Sequence, residues 1–448
     1  MMMKDVRGLT GEVVTPDDPQ YEEARQEWNR AIQKFPCVIV YCESVRDVQN
    51  AILWARKNEA KIRIRSGGHH YEGYSVGNGV LVIDISRLTN IYINENERLV
   101  RIQSGVRNRE LYNAVGKLGY PFPGGTCPTV GVAGFTLGAG WGMSSRLFGL
   151  GSDQLLEVAM INYEGKLVKA SANENEDLFW AFRGAGGGNF GVVVSLTYRL
   201  PPKTGNVTLV QLYAPNATKQ LQEQFLAVWQ EWLKKLDIRM TLNVSIYNSA
   251  EEGLAIFGRG IFYGDSENAK QLLKAFSDIG IDVTAQYVSF LEAVTIVMDS
   301  YPPYEKFKST GRFVYRDYDA KEISRIAGTI QKPPQGSVFA AVTVYALGGR
   351  IRDIGKKETA FYYREARYIM GIQTVWEEDA FARENKEWLE PRFQYIRSMT
   401  KGSFVNFPYN KLKNYEKAYY GRNAERLREV NEKYDPFQVF TFPQGING

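Results

Sequence analysis

Arg65-Ser66-Gly67-Gly68-His69-His70-Tyr71-Glu72-Gly73 is a glycine turn set directly behind an alternating run, Lys61 to Arg65, that reads as a strand. Upstream of it the pattern is strand, helix, strand. Pro36 to Cys42 is a brief apolar run. Ser44 then opens a helix, Asp47 completes a capping box three residues on, and Val45, Val48, Ile52 and Ala55 share one helical face. Successive backbone N–H groups in such a turn form a concave anion nest, which can hold a pyrophosphate without a Walker lysine. A plain tight turn with two exposed histidines is the alternative. His69 and His70 are the only histidines, so a metal site built from several of them is excluded. A Ser-His-Asp apparatus would have to use this one spot.

Downstream, Val80 to Ile85 and Leu99 to Gln103 read as strands and Arg109 to Leu118 as a short amphipathic helix. Gly124 to Gly142 is the richest loop. After Cys127 it carries Gly131, Gly134, Gly138, Gly140 and Gly142, with Gly149 beyond. A stretch so regularly stripped of side chains lies against a ligand or another backbone. Cys127 taken alone reads better as a buried small hydrophobe than as a functional thiol. Leu155 to Ala170 reads as a hairpin turning at Glu164-Gly165, and Glu176 to Phe182 as a helix. Gly186-Gly187-Gly188-Asn189-Phe190-Gly191 matches the dinucleotide fingerprint only formally. The fingerprint needs strand, turn, helix, whereas here a helix precedes and the strand Val192 to Leu200 follows, so a Rossmann site is rejected.

Pro201-Pro202 marks a boundary beyond which glycine clusters stop. Leu221 to Leu236 is a strong amphipathic helix and Ser266 to Ile279 another. Met240 to Tyr247, Leu254 to Tyr263, Val338 to Ala346 and Ala366 to Trp376 read as strands. Lys411 to Asp435 reads as a solvated helical face, its last helix, Asn423 to Tyr434, stopped by Asp435-Pro436. The length of 448 residues suggests two domains. Net charge is only +5 and no dense basic run exists, which argues against nucleic acid. Met1 to Val6 lacks a leader's apolar core and no window of about 18 apolar residues occurs, so a cytoplasmic address without a membrane span is expected. Three cysteines make no disulfide framework, and Cys37 and Cys42, roughly 16 Å apart on an extended strand, are expected to be buried core thiols.

The series Arg65-Ser66-Gly67-Gly68-His69, then Cys127-Pro128-Thr129-Val130-Gly131, then Gly186 to Gly191, then Asn406, resembles in order and spacing the berberine bridge enzyme-like branch of the vanillyl-alcohol oxidase flavoproteins, in a bacterial form. The likeness runs from about Pro36 to Gln444. It implies an α+β fold: a PCMH-type FAD-binding domain, residues 1–203 (PCMH-type from about 33) joined by 405–448, and an antiparallel-sheet substrate domain covered by helices, residues 204–404. It implies FAD bound covalently twice, through His69 to the C8 methyl group and through Cys127 to C6. An imidazole nitrogen and a thiolate are suitable nucleophiles for such carbons. Arg65, Ser66, Gly67, Gly68, His70, Ser75, Gly125, Thr129, Val130, Gly131, Gly134, Gly138, Gly188, Asn189, Gly191 and Val193 would contact the cofactor, with His70 mainly structural. Phe404, Asn406 and Phe407 would return to close over the ring. Val130 stands where the family gates oxygen, and its small side chain is that of an oxidase.

On the substrate side the sequence departs from the family. Phe404-Val405-Asn406-Phe407 lacks the tyrosine that commonly takes the alcohol proton, and Gly371 stands where relatives place a Lys or Glu. Tyr71, Gln373 and Trp141 are the remaining catalytic candidates, with Tyr363, Tyr409 and Glu72 as substitutes. The expected reaction is hydride transfer from a sugar, oligosaccharide or secondary-metabolite alcohol, or from a C–N group, to FAD, with O2 reduced to H2O2. Expected partners are a small-molecule substrate and O2, in a monomer or small homo-oligomer without a metal. Two competing readings are a flavin-loaded protein of low turnover, motivated by the missing phenols, and a carbohydrate-binding module without redox chemistry.

Overall fold

The computed structural model describes residues 5–446. Met1 to Lys4, which carry most of the stretch inspected for a leader, lie outside the described residues, as do Asn447 and Gly448. Three sheets organise the chain. A four-stranded sheet runs in the order Glu12–Val14, Val38–Tyr41, Leu81–Asp84, Ile62–Arg65, its last three strands parallel. The helix Val45–Lys57 makes the crossover between the second and fourth of these strands. It starts as its sequence dictates: the Ser44 hydroxyl accepts the Asp47 N–H, and the Asp47 carboxylate accepts the Ser44 N–H. The His69 turn is what joins Ile62–Arg65 to Leu81–Asp84, so it leaves the carboxyl end of a parallel strand.

A five-stranded antiparallel sheet follows, in the order Ile91–Asn94, Leu99–Gln103, Val192–Arg199, Leu155–Ile161, Leu167–Ser171. The third sheet has eight antiparallel strands, in the order Asp282–Ser289, Asn206–Ala214, Gly253–Phe262, Met240–Ser249, Ser337–Ala346, Tyr368–Trp376, Lys306–Val314, Lys401–Ser403. Helices cover this sheet. Lys219–Lys234 aims Phe225, Trp229 and Trp232 inward at helical spacing, and the Phe225 ring lies 5.6 Å from Phe276 of Ser266–Ser277. Trp229 is fully buried, so truncating it to Ala would cost about 3–5 kcal/mol.

Most elements expected from the sequence are present within a residue or two, but four differences have physical causes. Lys306–Val314 escaped notice because Lys308 and Arg312 break its apolar pattern; both charged heads are taken up by partners, Lys308 on the Glu72 carboxylate and the buried Arg312 on Ser403 and Thr400. The glycine loop contains a short helix, Val132–Leu137. Lys411 to Asp435 is not a purely solvated face. Tyr419, Tyr420, Leu427 and Val430 are buried, and the tail clasps the Gly186–Gly191 segment: Tyr420 donates to the Ala185 carbonyl, Asn431 to the Asn189 carbonyl, and the Ile446 N–H to the Asn189 side chain. Cys42 is buried as expected, but Cys37 is half-buried. Among the described residues no helix is long and apolar enough to cross a membrane.

Candidate functional site

Two glycine loops meet back to back. A Cβ on Gly67 would lie 2.3 Å from the Gly131 nitrogen, and one on Gly131 would lie 2.4 Å from the Ser66 hydroxyl oxygen. Only glycine allows that approach. The start of the helix Asn108–Gly116 holds the second loop from behind: the Asn108 amide donates to the Cys127 carbonyl at 2.9 Å, and the Arg109 N–H to the Pro128 carbonyl at 3.1 Å. The consequence is a meeting of side chains 58 positions apart in sequence. His69 Nε2 sits 2.8 Å from the Thr129 hydroxyl, and Cys127 Sγ sits 3.7 Å from the same oxygen. The imidazole and the thiol therefore lie no farther apart than those two lengths combined. Trp28 stacks on the His69 ring at 4.9 Å.

Burial, aided by the charge of Arg107, lowers the His69 pKa to about 3, so the ring is neutral and keeps a lone pair at neutral pH. Burial raises the Cys127 pKa, although backbone N–H groups of Thr129 and Val130 pull the other way. The thiol thus holds its proton at neutral pH and needs a base to become a nucleophile. His70 is also neutral, lowered to about 3 by burial; its Nδ1 accepts the Glu72 N–H, which makes it a brace of the turn.

Both loops open on a cavity of about 400 Å³, within the range of ligand sites. Ala185 to Val193 and the returning segment 404–408 complete its lining. Of the positions expected to touch cofactor or substrate, all line this cavity except Arg65, Thr129 and Gly138. The Arg65 side chain is taken into a buried ion pair with Asp84, and Thr129 acts through His69 and Cys127. Gly138 makes room for a neighbour: a Cβ there would fall 1.8 Å from Asn406 Oδ1, while Asn406 Nδ2 donates to the Phe135 carbonyl at 2.9 Å. The lining suits an FAD. A Cβ on Gly134 would meet nothing within 4 Å, and buried polar atoms without partners, Arg63 Nε, Trp28 Nε1 and Asn243 Oδ1, belong to lining residues.

The opposite wall is aromatic. Tyr71 stacks on Phe407 at 5.2 Å with an interplanar angle of 6°, and Phe307 meets Tyr71 edge-on at 5.0 Å. Burial raises the Tyr71 pKa well above its ordinary value and no cation faces it, so its phenol stays protonated. Trp141 spends its indole N–H on the Ala346 carbonyl and packs edge-on against Tyr345. Gln373 lines the cavity from the strand Tyr368–Trp376. The three substitutes are placed elsewhere. Tyr363 donates to the Ala418 carbonyl and stacks on Phe313, Tyr409 packs against Phe393, and Glu72 is ion-paired with Lys308. None of them lines the cavity. Sequence reasoning missed Trp28, Asn243, Tyr301, Glu305 and Tyr345, which do line it. They come from four separate stretches with no local motif, and only long-range contacts, for instance the sheet register that sets Asn243 opposite Tyr345, gather them.

Comparison with known proteins agrees with this architecture. A family profile described as FAD binding domain matches residues 36–171, and one described as Berberine and berberine like matches residues 403–447. An uncharacterized FAD-linked oxidoreductase of Bacillus subtilis, YgaK, is 35% identical over 447 residues, covering 98% of this chain and 97% of the relative. A tetrahydroberberine oxidase of Berberis wilsoniae is 27% identical, over 89% of this chain and 83% of the relative. Among solved structures, Physcomitrella patens BBE-like 1 superposes with a TM-score of 0.90 at 26% identity, over 98% of this chain and 97% of that one. The chain belongs to the berberine bridge enzyme-like family of FAD-linked oxidoreductases.

Proposed function

We propose that the chain is an oxidase that holds its FAD through both His69 and Cys127 and oxidises an alcohol, of a sugar or of a secondary metabolite, or a C–N group, with O2 as acceptor. The observation that carries this reading is the convergence of the neutral His69 imidazole and the Cys127 thiol on the Thr129 hydroxyl, at the edge of the cavity. Thr129 engages His69 Nε2, which leaves Nδ1 as the nitrogen available for a bond. Bound FAD would supply hydride acceptance and electron transfer to O2, giving H2O2.

The chain's own residues do the rest. The Gly67–Gly131 contact fixes both attachment points relative to each other. Asn406, held by the Phe135 carbonyl, ties the returning segment down. Val130 keeps the oxygen approach beside Cys127 open. Tyr71, protonated, donates a hydrogen bond to the substrate oxygen, and Gln373 supplies a second polar contact from the sheet. The stacked aromatic wall excludes water and suits a flat, partly apolar substrate face. Two relatives, a tetrahydroberberine oxidase and a monolignol oxidoreductase of Arabidopsis thaliana, fit the C–N and alcohol readings respectively. The reading of a flavin-loaded protein of low turnover draws on Phe404, Phe407 and the protonated Tyr71.

Acid precipitation and intact mass test the tether. Wild type, His69→Ala and Cys127→Ala should each keep covalent FAD, and the double variant should release it. Anaerobic bleaching of the flavin by a panel of oligosaccharides, coniferyl alcohol and benzylic amines tests the oxidase. A panel that leaves the flavin yellow favours the low-turnover reading, and a colourless wild type defeats both.

A further inference from the structure

The segment between the helix Phe290–Asp299 and the strand Lys306–Val314 is tied to the immediate neighbours of both attachment points. The Tyr301 hydroxyl shares a hydrogen bond of 2.7 Å with the hydroxyl of Thr126, the residue before Cys127. Four positions on, Glu305 is pinned by its backbone to the other loop's neighbour: its N–H donates to the Trp28 carbonyl at 3.3 Å, and its carbonyl accepts the Arg30 N–H at 2.7 Å. The Trp28 ring is the one stacked on His69. Glu305 is, among the described residues, the only carboxylate lining the cavity. Its side chain makes no hydrogen bond or ion pair there. Burial alone raises its pKa to about 7, and its charge in turn adds to what holds the proton on Cys127. No other lining group is suited to take that proton: the His69 and His70 rings, their pKa values both lowered to about 3, are too weak as bases, and the phenols of Tyr71 and Tyr301 hold their protons.

We propose that Glu305 is the base that takes the thiol proton as Cys127 attaches to the flavin ring. The inference rests on the Cys127 tether proposed above. Cys127 gives its thiol proton to the Glu305 carboxylate, and Sγ bonds to ring carbon C6. The C6–H bond breaks with loss of its proton, and the bonding electron pair stays on the ring. O2 then takes those two electrons with the two protons and leaves as H2O2, so one S–C bond is made for one O2 consumed.

The test is the time course of acid-stable flavin in a His69→Ala background, where Cys127 is the one remaining tether. Each purified chain is incubated aerobically with added FAD, precipitated in acid and weighed by mass spectrometry. His69→Ala should accumulate the FAD adduct. With Glu305→Gln added, the native protein should still bind FAD and colour yellow while the adduct forms at least tenfold more slowly. Glu305→Asp, which keeps the carboxylate, should recover most of the rate and so separates a lost base from a damaged fold. Equal rates with and without Glu305→Gln overturn the proposal, whatever happens to turnover. A yellow Glu305→Asp chain no faster than Glu305→Gln overturns it too. A wild type with no covalent FAD overturns the tether and this proposal together, whereas a wild-type adduct that ignores Glu305 overturns this proposal alone.

Discussion

The glycine loops on one side of the cavity and the sheet on the other differ in what holds them in shape. On the loop side, backbone touches backbone: Gly67 against Gly131, and Gly142 so close to Gly124 that a Cβ would lie 1.8 Å from its carbonyl oxygen. On the sheet side, Asn243, Tyr345 and Gln373 project from strands whose hydrogen bonds do not depend on which side chain stands there. A wall made by steric necessity cannot vary. A wall made of projecting side chains can be rewritten residue by residue without moving a strand. The first suits a constant cofactor and the second a changing substrate.

That contrast can be broken with alanine. Gly67→Ala places a methyl against backbone atoms of Gly131 and Thr129 that cannot step aside. It should cost about 3 kcal/mol or more and strip FAD from the purified chain. Gly371→Ala, on the sheet, meets nothing closer than 3.5 Å and should cost less than about 1 kcal/mol. Thermal unfolding and the flavin-to-protein absorbance ratio report both. Equal losses would mean that the loop side is no more constrained than the sheet.

The two sides should also answer pH in opposite senses. His70, on the loop side, has its pKa lowered by burial from 6.5 to about 3. A depressed cationic acid stabilises the fold above 6.5, and that stability is lost as pH falls from 6.5 towards 3. Glu305, on the other side, has its pKa raised by burial from 4.5 to about 7. A raised carboxyl leaves stability intact below 4.5 and removes it as pH rises from 4.5 to 7. For a half-buried group that reaches water the loss is about 2 kcal/mol. Urea unfolding of flavin-free chains should show Glu305→Gln gaining on wild type across that second window and His70→Gln gaining across the first. A Glu305→Gln chain that tracks wild type through neutrality would show that the carboxylate is hydrated.

The same contrast decides what could be read without coordinates. The loop side was legible because its chemistry is local: His69 with its glycines, Cys127 with Thr129 and Gly131, and the Ser44–Asp47 cap that starts the first crossover helix. What the sequence hid was the reason for some of it. Gly138 stands clear of the cavity because Asn406, from the far end of the chain, needs its space. Of the lining residues on the sheet's strands only Gln373 was anticipated. Trp28, Tyr301 and Glu305 lie in stretches with no repeating pattern, and long-range contacts alone bring them to the cavity. Lys308 and Arg312 disguised their strand because their partners, Glu72 and Ser403, sit more than ninety positions away or across a sheet edge.

The smallest expected effect is the most informative about the substrate side. Phe407 lies flat on Tyr71 and 5.4 Å from Tyr345, so its ring edge belongs to the same aromatic wall. Phe407→Tyr adds one hydroxyl at a position where family members commonly carry the phenol. If an alcohol gives up its proton beside this ring, anaerobic bleaching by that alcohol should quicken about tenfold, equivalent to about 1.4 kcal/mol of barrier. The gain should stay below the 10²–10⁴ of a fully positioned base, because the new phenol sits among apolar rings that hold its proton. Stability should change by less than about 1 kcal/mol, since the stack is kept. A faster bleaching confined to alcohols, with amines unchanged, would place alcohol deprotonation at this ring. No gain with any probe would show that Phe407 serves packing alone and that the proton leaves by another route along the wall.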